Sequence, residues 1–157
     1  MVLGFPRTVN EKAARVVAGV VALTALVTLV TGAYWLLVPL AYGFWARVLT
    51  GPTLSPLARF ASQVAAPRLG APKDVSGPPK RFAQGMGAAM TTAAAIAALA
   101  FGAHGVADAL LVALIAAATL ESVFAFCLGC KIFGLLMRAG VIPDEVCAEC
   151  ADIWART

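Results

Sequence analysis

Apolar positions in this chain run on rather than alternate. From residue 16 to residue 46 no side chain is charged. One helix over that stretch would be about 46 Å long at 1.5 Å per residue, while the hydrocarbon core of a bilayer is about 30 Å thick. The pattern therefore predicts a turn at Thr31, Gly32 and Ala33 between two membrane helices, over residues 11–31 and 33–50. A single steeply tilted helix is the alternative. Tyr34 and Trp35 would mark one interface and Trp45 the other, as amphipathic rings prefer. Pro39 removes a helical hydrogen bond and predicts a kink in the second span. Two more apolar runs predict spans over residues 82–102 and 107–127. Thr8 and Glu11 have the spacing of a capping box ahead of the first helix, and Asp108 can cap the fourth.

Between the second and third spans lies a long polar connection. Ser55 followed by Pro56 reads as the start of a short helix. That helix would carry Leu57, Phe60, Ala61 and Val64 on one face and lie in the membrane interface. Pro67, Pro72, Pro78 and Pro79 predict an extended linker after it. In the third span Gly85, Ala89, Ala93 and Ala97 recur every fourth residue, a spacing that lets a neighbouring helix approach closely. Packing within the chain is the default use of this stripe, and a homodimer is the other. Residues 132–139 read as a short interfacial helix closed by Gly140. Pro143 would then start a last helix, with Asp144 and Glu145 in its first turn and Cys147 and Cys150 beyond.

Composition narrows the class. Of the 157 residues, 61% are hydrophobic and 13% are charged; a soluble domain is about one quarter charged. So few polar groups cannot cover that much apolar surface, so lipid must be the solvent. The runs lack the alternation of a transmembrane barrel, which leaves helices. The expected fold is thus all-α: an integral membrane four-helix bundle forming one domain over residues 1–157, with a short helical tail over residues 131–157. The first run reads as a membrane helix rather than a cleaved signal. No dense basic patch with interleaved aromatics suggests nucleic acid. Arg47, Arg59, Arg68, Lys73, Lys80 and Arg81 crowd one connection, and the opposite turns hold neither Lys nor Arg. The positive-inside rule then places both termini and the tail in the cytoplasm.

Chemistry concentrates near the C-terminal end of this sequence. All four cysteines lie there, as Cys127-Leu-Gly-Cys130 and Cys147-Ala-Glu-Cys150. Residues three apart on a helix have Cβ atoms about 5–6 Å apart, and a disulfide needs about 3.5–4.5 Å. A small adjustment, eased by Gly129, makes each pair a redox couple. The same four thiols match the spacing of a structural zinc site or, as a weaker fit, an iron site. Inert thiols are the third reading. Disulfides facing the cytoplasm are usually transient and functional. Lys131 favours thiolate in the first pair, while Asp144, Glu145 and Glu149 disfavour it in the second. Cys127 and Cys130 are therefore the expected reactive pair, with Cys147 and Cys150 resolving.

Glu121 is costly inside a span and marks either a proton carrier or a hydrogen bond between helices. On a continuous helix it points about half a turn away from both nearby cysteines. His104, the sole histidine, reads as a solvated turn residue more than as a ligand or proton shuttle.

Phe-Pro-Arg-Thr-Val-Asn at residues 5–10 and Phe-Cys-Leu-Gly-Cys-Lys at residues 126–131, with a second Cys-x-x-Cys close behind, resemble an uncharacterised family of small bacterial membrane proteins. The resemblance covers nearly the whole chain. It implies a bacterial cell membrane and functional positions at Cys127, Cys130, Cys147 and Cys150. Genes of that family often lie beside thioredoxin-like proteins and rhodanese-type sulfurtransferases, which implies such a partner by association. The expected function is a membrane thiol–disulfide or sulfane-sulfur relay. A non-enzymatic protein with a four-cysteine zinc site is the alternative, and a carrier of a small sulfur compound ranks third.

Overall fold

Asn10 starts the first helix. Its side chain accepts the Lys12 amide at 2.9 Å, and α1 (Glu11–Thr31) runs from there to Gly32, whose φ of 68° ends it. In this computed structural model, residues 8–51 and 53–143 are described. Thr8, the expected cap, lies instead in a short strand, β1 (Thr8–Asn10). It pairs antiparallel with β2 (Asp74–Ser76), Thr8 opposite Ser76. Glu11 pairs with Lys73 at 2.9 Å. Two cap geometries compete for the same free amides, and the ladder settles the contest by holding the chain extended up to Asn10.

The turn at Gly32 splits the long apolar run where a turn is expected, but the helix that follows, at 14 residues, is not among those long enough to count as a span. A 3-10 turn (Tyr34–Leu36) leads into α2 (Leu37–Thr50). Pro39 falls in the first turn of α2, so the kink expected inside the span becomes the joint at its start. Ser55 caps α3 (Pro56–Phe60) by accepting the Ala58 amide at 3.3 Å. The helix continues through a π segment (Ala61–Ala65) into α4 (Ala66–Arg68). Its buried face is Ala58, Ala61 and Ala66; Phe60, expected beside Ala61, points outward.

Pro78 and Pro79 are not linker. They occupy the first turn of α5 (Gly77–Ala95), where a missing N–H has no helical partner to lose, and a π segment (Ile96–Ala100) extends the helix. The third long helix therefore begins five residues earlier than its apolar run. After the turn at Gly102 comes α6 (His104–Phe124). Asp108 does not cap it. Its carboxylate instead accepts the Tyr34 hydroxyl at 2.9 Å, and the His104 ring stacks on Tyr34 with centroids 4.6 Å apart. The last described helix, α7 (Leu128–Arg138), starts earlier than the expected residue 132 and is followed by Gly140 at φ 80°.

The fold is all-helical apart from the small ladder. The helices Glu11–Thr31, Gly77–Ala100 and His104–Phe124 are long and apolar enough to cross a membrane. Large apolar side chains such as Leu23, Val30, Trp35, Val123 and Phe124 stand exposed on their outer faces, as lipid-facing surface should. Inside, α1 packs antiparallel on α6 and α2 antiparallel on α5, around Val21, Leu37, Phe44, Leu111 and Leu114. The small-residue stripe that packs along α5 is Gly87, Thr91, Ala94 and Ala98; Ala89 and Ala93 of the expected stripe face outward. The difference is a rotation about the helix axis that spacing alone cannot fix. Phe44 lies so close to Gly87 that no Cβ fits there.

One end of the bundle gathers the start of α1, the end of α2, the start of α5 and the end of α6. Helix ends leave carbonyls without partners, and cations of the neighbouring helix take them. Arg15 donates to the carbonyls of Ser122 and Val123 at 3.0 and 3.2 Å, and Arg81 to that of Val48 at 2.8 Å. Lys12 caps Leu69 at 2.9 Å. Charges that sequence reads as orientation signals are thus also helix caps.

Candidate functional site

The site begins where α6 stops. Ala125 adopts a left-handed conformation, φ 55°, the only described non-glycine residue to do so. For a residue with a Cβ this costs about 1–2 kcal/mol. The chain reverses there, and Cys127 becomes the N-cap of α7, its sulfur accepting the Cys130 amide at 3.2 Å. Cys127 and Cys130 are joined by a disulfide, with Cα atoms 5.2 Å apart. Cys127 is buried and Cys130 is half-buried.

α7 is pressed onto α5. A Cβ at Gly129 would lie 2.5 Å from the Ala83 Cβ and 2.6 Å from its Cα, so only glycine allows this approach. Phe82 meets Phe133 edge to face at 5.7 Å, and Met137 and Ile142 complete the patch.

The break at Ala125 changes the position of Glu121. A continuous helix would have turned it away from Cys127; here both line one cleft of about 70 Å³, together with Phe44, Arg47, Gln84 and Gly129. Glu121 forms a buried ion pair with Lys80 of α5. This contact ties α5 to α6 across a sequence separation of 41.

Arg47 and Lys80 are the residues the sequence reading missed. The sequence pattern places both in a basic connection, yet they are only 6% and 7% exposed. Arg47 Nε donates to Gln84 Oε1 at 2.7 Å and Nη1 to the buried Ser55 Oγ at 3.4 Å. The guanidinium lies 4.7 Å from the centre of the Phe44 ring. Its Nη2 is buried with no acceptor among the described residues. The overlooked signal for Lys80 was Pro78-Pro79, which opens a helix and draws Lys80 inside it. Arg47 had no comparable local signal.

The other expected positions divide plainly. Lys131 lies 5.8 Å from the Phe126 ring centre, beside Cys130 in the chain. His104 sits at the opposite end of the bundle, remote from the cysteines. Cys147, Cys150 and the helix expected to carry them lie outside the described residues. Among the described residues, no three of His, Cys, Asp and Glu come together as a metal-binding group.

Residues 9–138 match the model of a family described as a domain of unknown function, DUF4395. The chain belongs to that family. The matched region holds the bundle, Glu121 and the first cysteine pair, and it ends before Cys147. No curated protein and no solved structure matches this DUF4395 chain.

Proposed function

We propose that this protein is a membrane-embedded thiol–disulfide or sulfane-sulfur relay whose working pair is Cys127 and Cys130. The observation that carries the reading is their disulfide at the start of α7, beside a cleft that also holds Glu121 and Arg47. The first amides of a helix favour negative charge. That favours a thiolate on Cys127 when the bond opens, whereas the charge of Lys131 favours one on Cys130. Exchange proceeds by thiolate attack on a disulfide sulfur through a mixed disulfide. A thioredoxin-like or sulfurtransferase partner would supply or accept the sulfur or electrons, with Cys147 and Cys150 as the resolving pair. Glu121 would carry a proton only once Lys80 released it.

The membrane arrangement belongs to the same proposal. Four antiparallel segments cross a bacterial cell membrane, with both termini and the cysteines on the cytoplasmic side. α2, with 14 residues, spans about 21 Å at 1.5 Å per residue. Its 3-10 lead and the interfacial placement of α3 and α4 would make up the remaining depth. Basic residues at the cysteine end support that side as cytoplasmic.

Metal content and free-thiol count on anaerobically purified protein test the reading. The expected result is no metal, with thiols that oxidise in pairs and are re-reduced by a thioredoxin-like protein. A four-thiolate zinc site and the Cys127–Cys130 disulfide exclude one another. Stoichiometric zinc with no titratable thiols would therefore replace the relay with a structural site.

A further inference from the structure

Among the described residues, the buried charges beside the disulfide do not balance. Glu121 is committed to Lys80. Among the described residues, Arg47 has no carboxylate within ion-pair distance, Glu121 acting on it only through space, and its Nη2 has no acceptor. A buried charge without a partner is costly, and a guanidinium readily binds oxyanions and other anions. Arg47 lines the cleft, whose volume of about 70 Å³ exceeds the roughly 10–15 Å³ that one water needs. Apart from Arg47, Gln84, Glu121 and Cys127, its walls are apolar or glycine. Water could fill it, but water would leave the surplus charge in place.

We infer that this cleft is a binding site for a small monovalent anion, held by Arg47 in the same cavity as Cys127. The anion has few heavy atoms, because Phe44, Gly87 and Gly129 close the walls. Resting on the exchange reading, the substrate class follows: hydrosulfide or a small thiolate, the anions that a disulfide consumes. The incoming sulfur attacks Cys127 and a new S–S bond forms there. The Cys127–Cys130 bond breaks, and Cys130, which does not line the cleft, leaves as thiolate. With hydrosulfide the product on Cys127 is a persulfide, and no further oxidant is needed.

Two measurements on the full chain in detergent test this. The first is chlorine-35 NMR line width at constant ionic strength, with gluconate as the balancing anion. Saturable broadening that thiocyanate displaces is expected, and Arg47→Gln should abolish it while Arg59→Gln, on an exposed residue, leaves it intact. Ala117→Leu keeps every charge and fills the cleft; it too should abolish the broadening, which guards against misfolding of the Arg47 variant. Broadening that survives either Arg47→Gln or Ala117→Leu in folded protein would overturn the site. The second is the rate at which the disulfide opens. Arg47→Gln should slow hydrosulfide about tenfold, the value of one charge-assisted hydrogen bond, and leave tris(hydroxypropyl)phosphine, an uncharged reductant, unaffected. Equal slowing of both reagents, or of neither, would overturn the substrate assignment. If neither reagent opens the wild-type disulfide while chloride still binds, the exchange reading fails and the anion site stands.

Discussion

The two ends of the helix bundle solve the burial of polar groups in opposite ways. At the far end, Tyr34, His104 and Asp108 form one stack and one hydrogen bond, and His104 stays exposed. Nothing there is asked to hold a charge away from solvent at a cavity. At the cysteine end, Arg47 and Lys80 are buried, Glu121 is nearly so, and a cleft opens between them and the disulfide. Buried charges rarely improve stability over well-packed apolar residues. The contrast supports placing the proposed function at the cysteine end: among the described residues, that end alone carries an arrangement that packing would not favour.

Removing one member of the buried pair should have the largest effect. Glu121→Ala leaves Lys80 buried without a partner and is expected to destabilise the fold by about 3–5 kcal/mol, read as a denaturation midpoint in detergent. Adding Lys80→Met should recover much of that loss. A double variant as unstable as the sum of the singles would show that the two residues act independently. Next comes Gly129→Ala. Overpacking against the Ala83 backbone should cost about 1–3 kcal/mol and loosen α7, measured as faster amide exchange over residues 128–138. Unchanged exchange would mean that α7 does not depend on this close approach. Smallest is Tyr34→Phe at the far end. It removes the hydroxyl bonded to Asp108 and should cost about 0.5–1.5 kcal/mol, with no change in the opening of the cysteine pair. A large effect on that pair would couple the two ends and erase the contrast.

Much of the scaffold could be read from residue patterns because its causes are local. The split of the first apolar run at Gly32, the Ser55–Pro56 helix start and the position of the cysteines after the last long helix all follow from neighbouring residues. The misreadings arise where the local pattern is met by a second reading that distant contacts favour. The expected cap, Thr8, lies in the strand that pairs with β2, and Asn10 caps α1 instead. Pro78 and Pro79 suit a linker and a first helical turn equally well. On α5, two small-residue stripes differ by a rotation, and only the position of Phe44 selects Gly87.

By itself, the sequence determined that this chain forms helices long and apolar enough to cross a membrane, about where they turn, and that a cysteine pair lies at one end. Hydropathy fixes these, because the cost of exposing apolar runs to water or backbone groups to lipid is set residue by residue. Only the tertiary structure decided that α6 breaks at Ala125, that Glu121 and Cys127 share a cleft, and that Arg47 and Lys80 are buried. A charge can enter the interior only when a distant partner meets it. Lys80 finds that partner 41 residues away, in Glu121, at a separation no local pattern encodes.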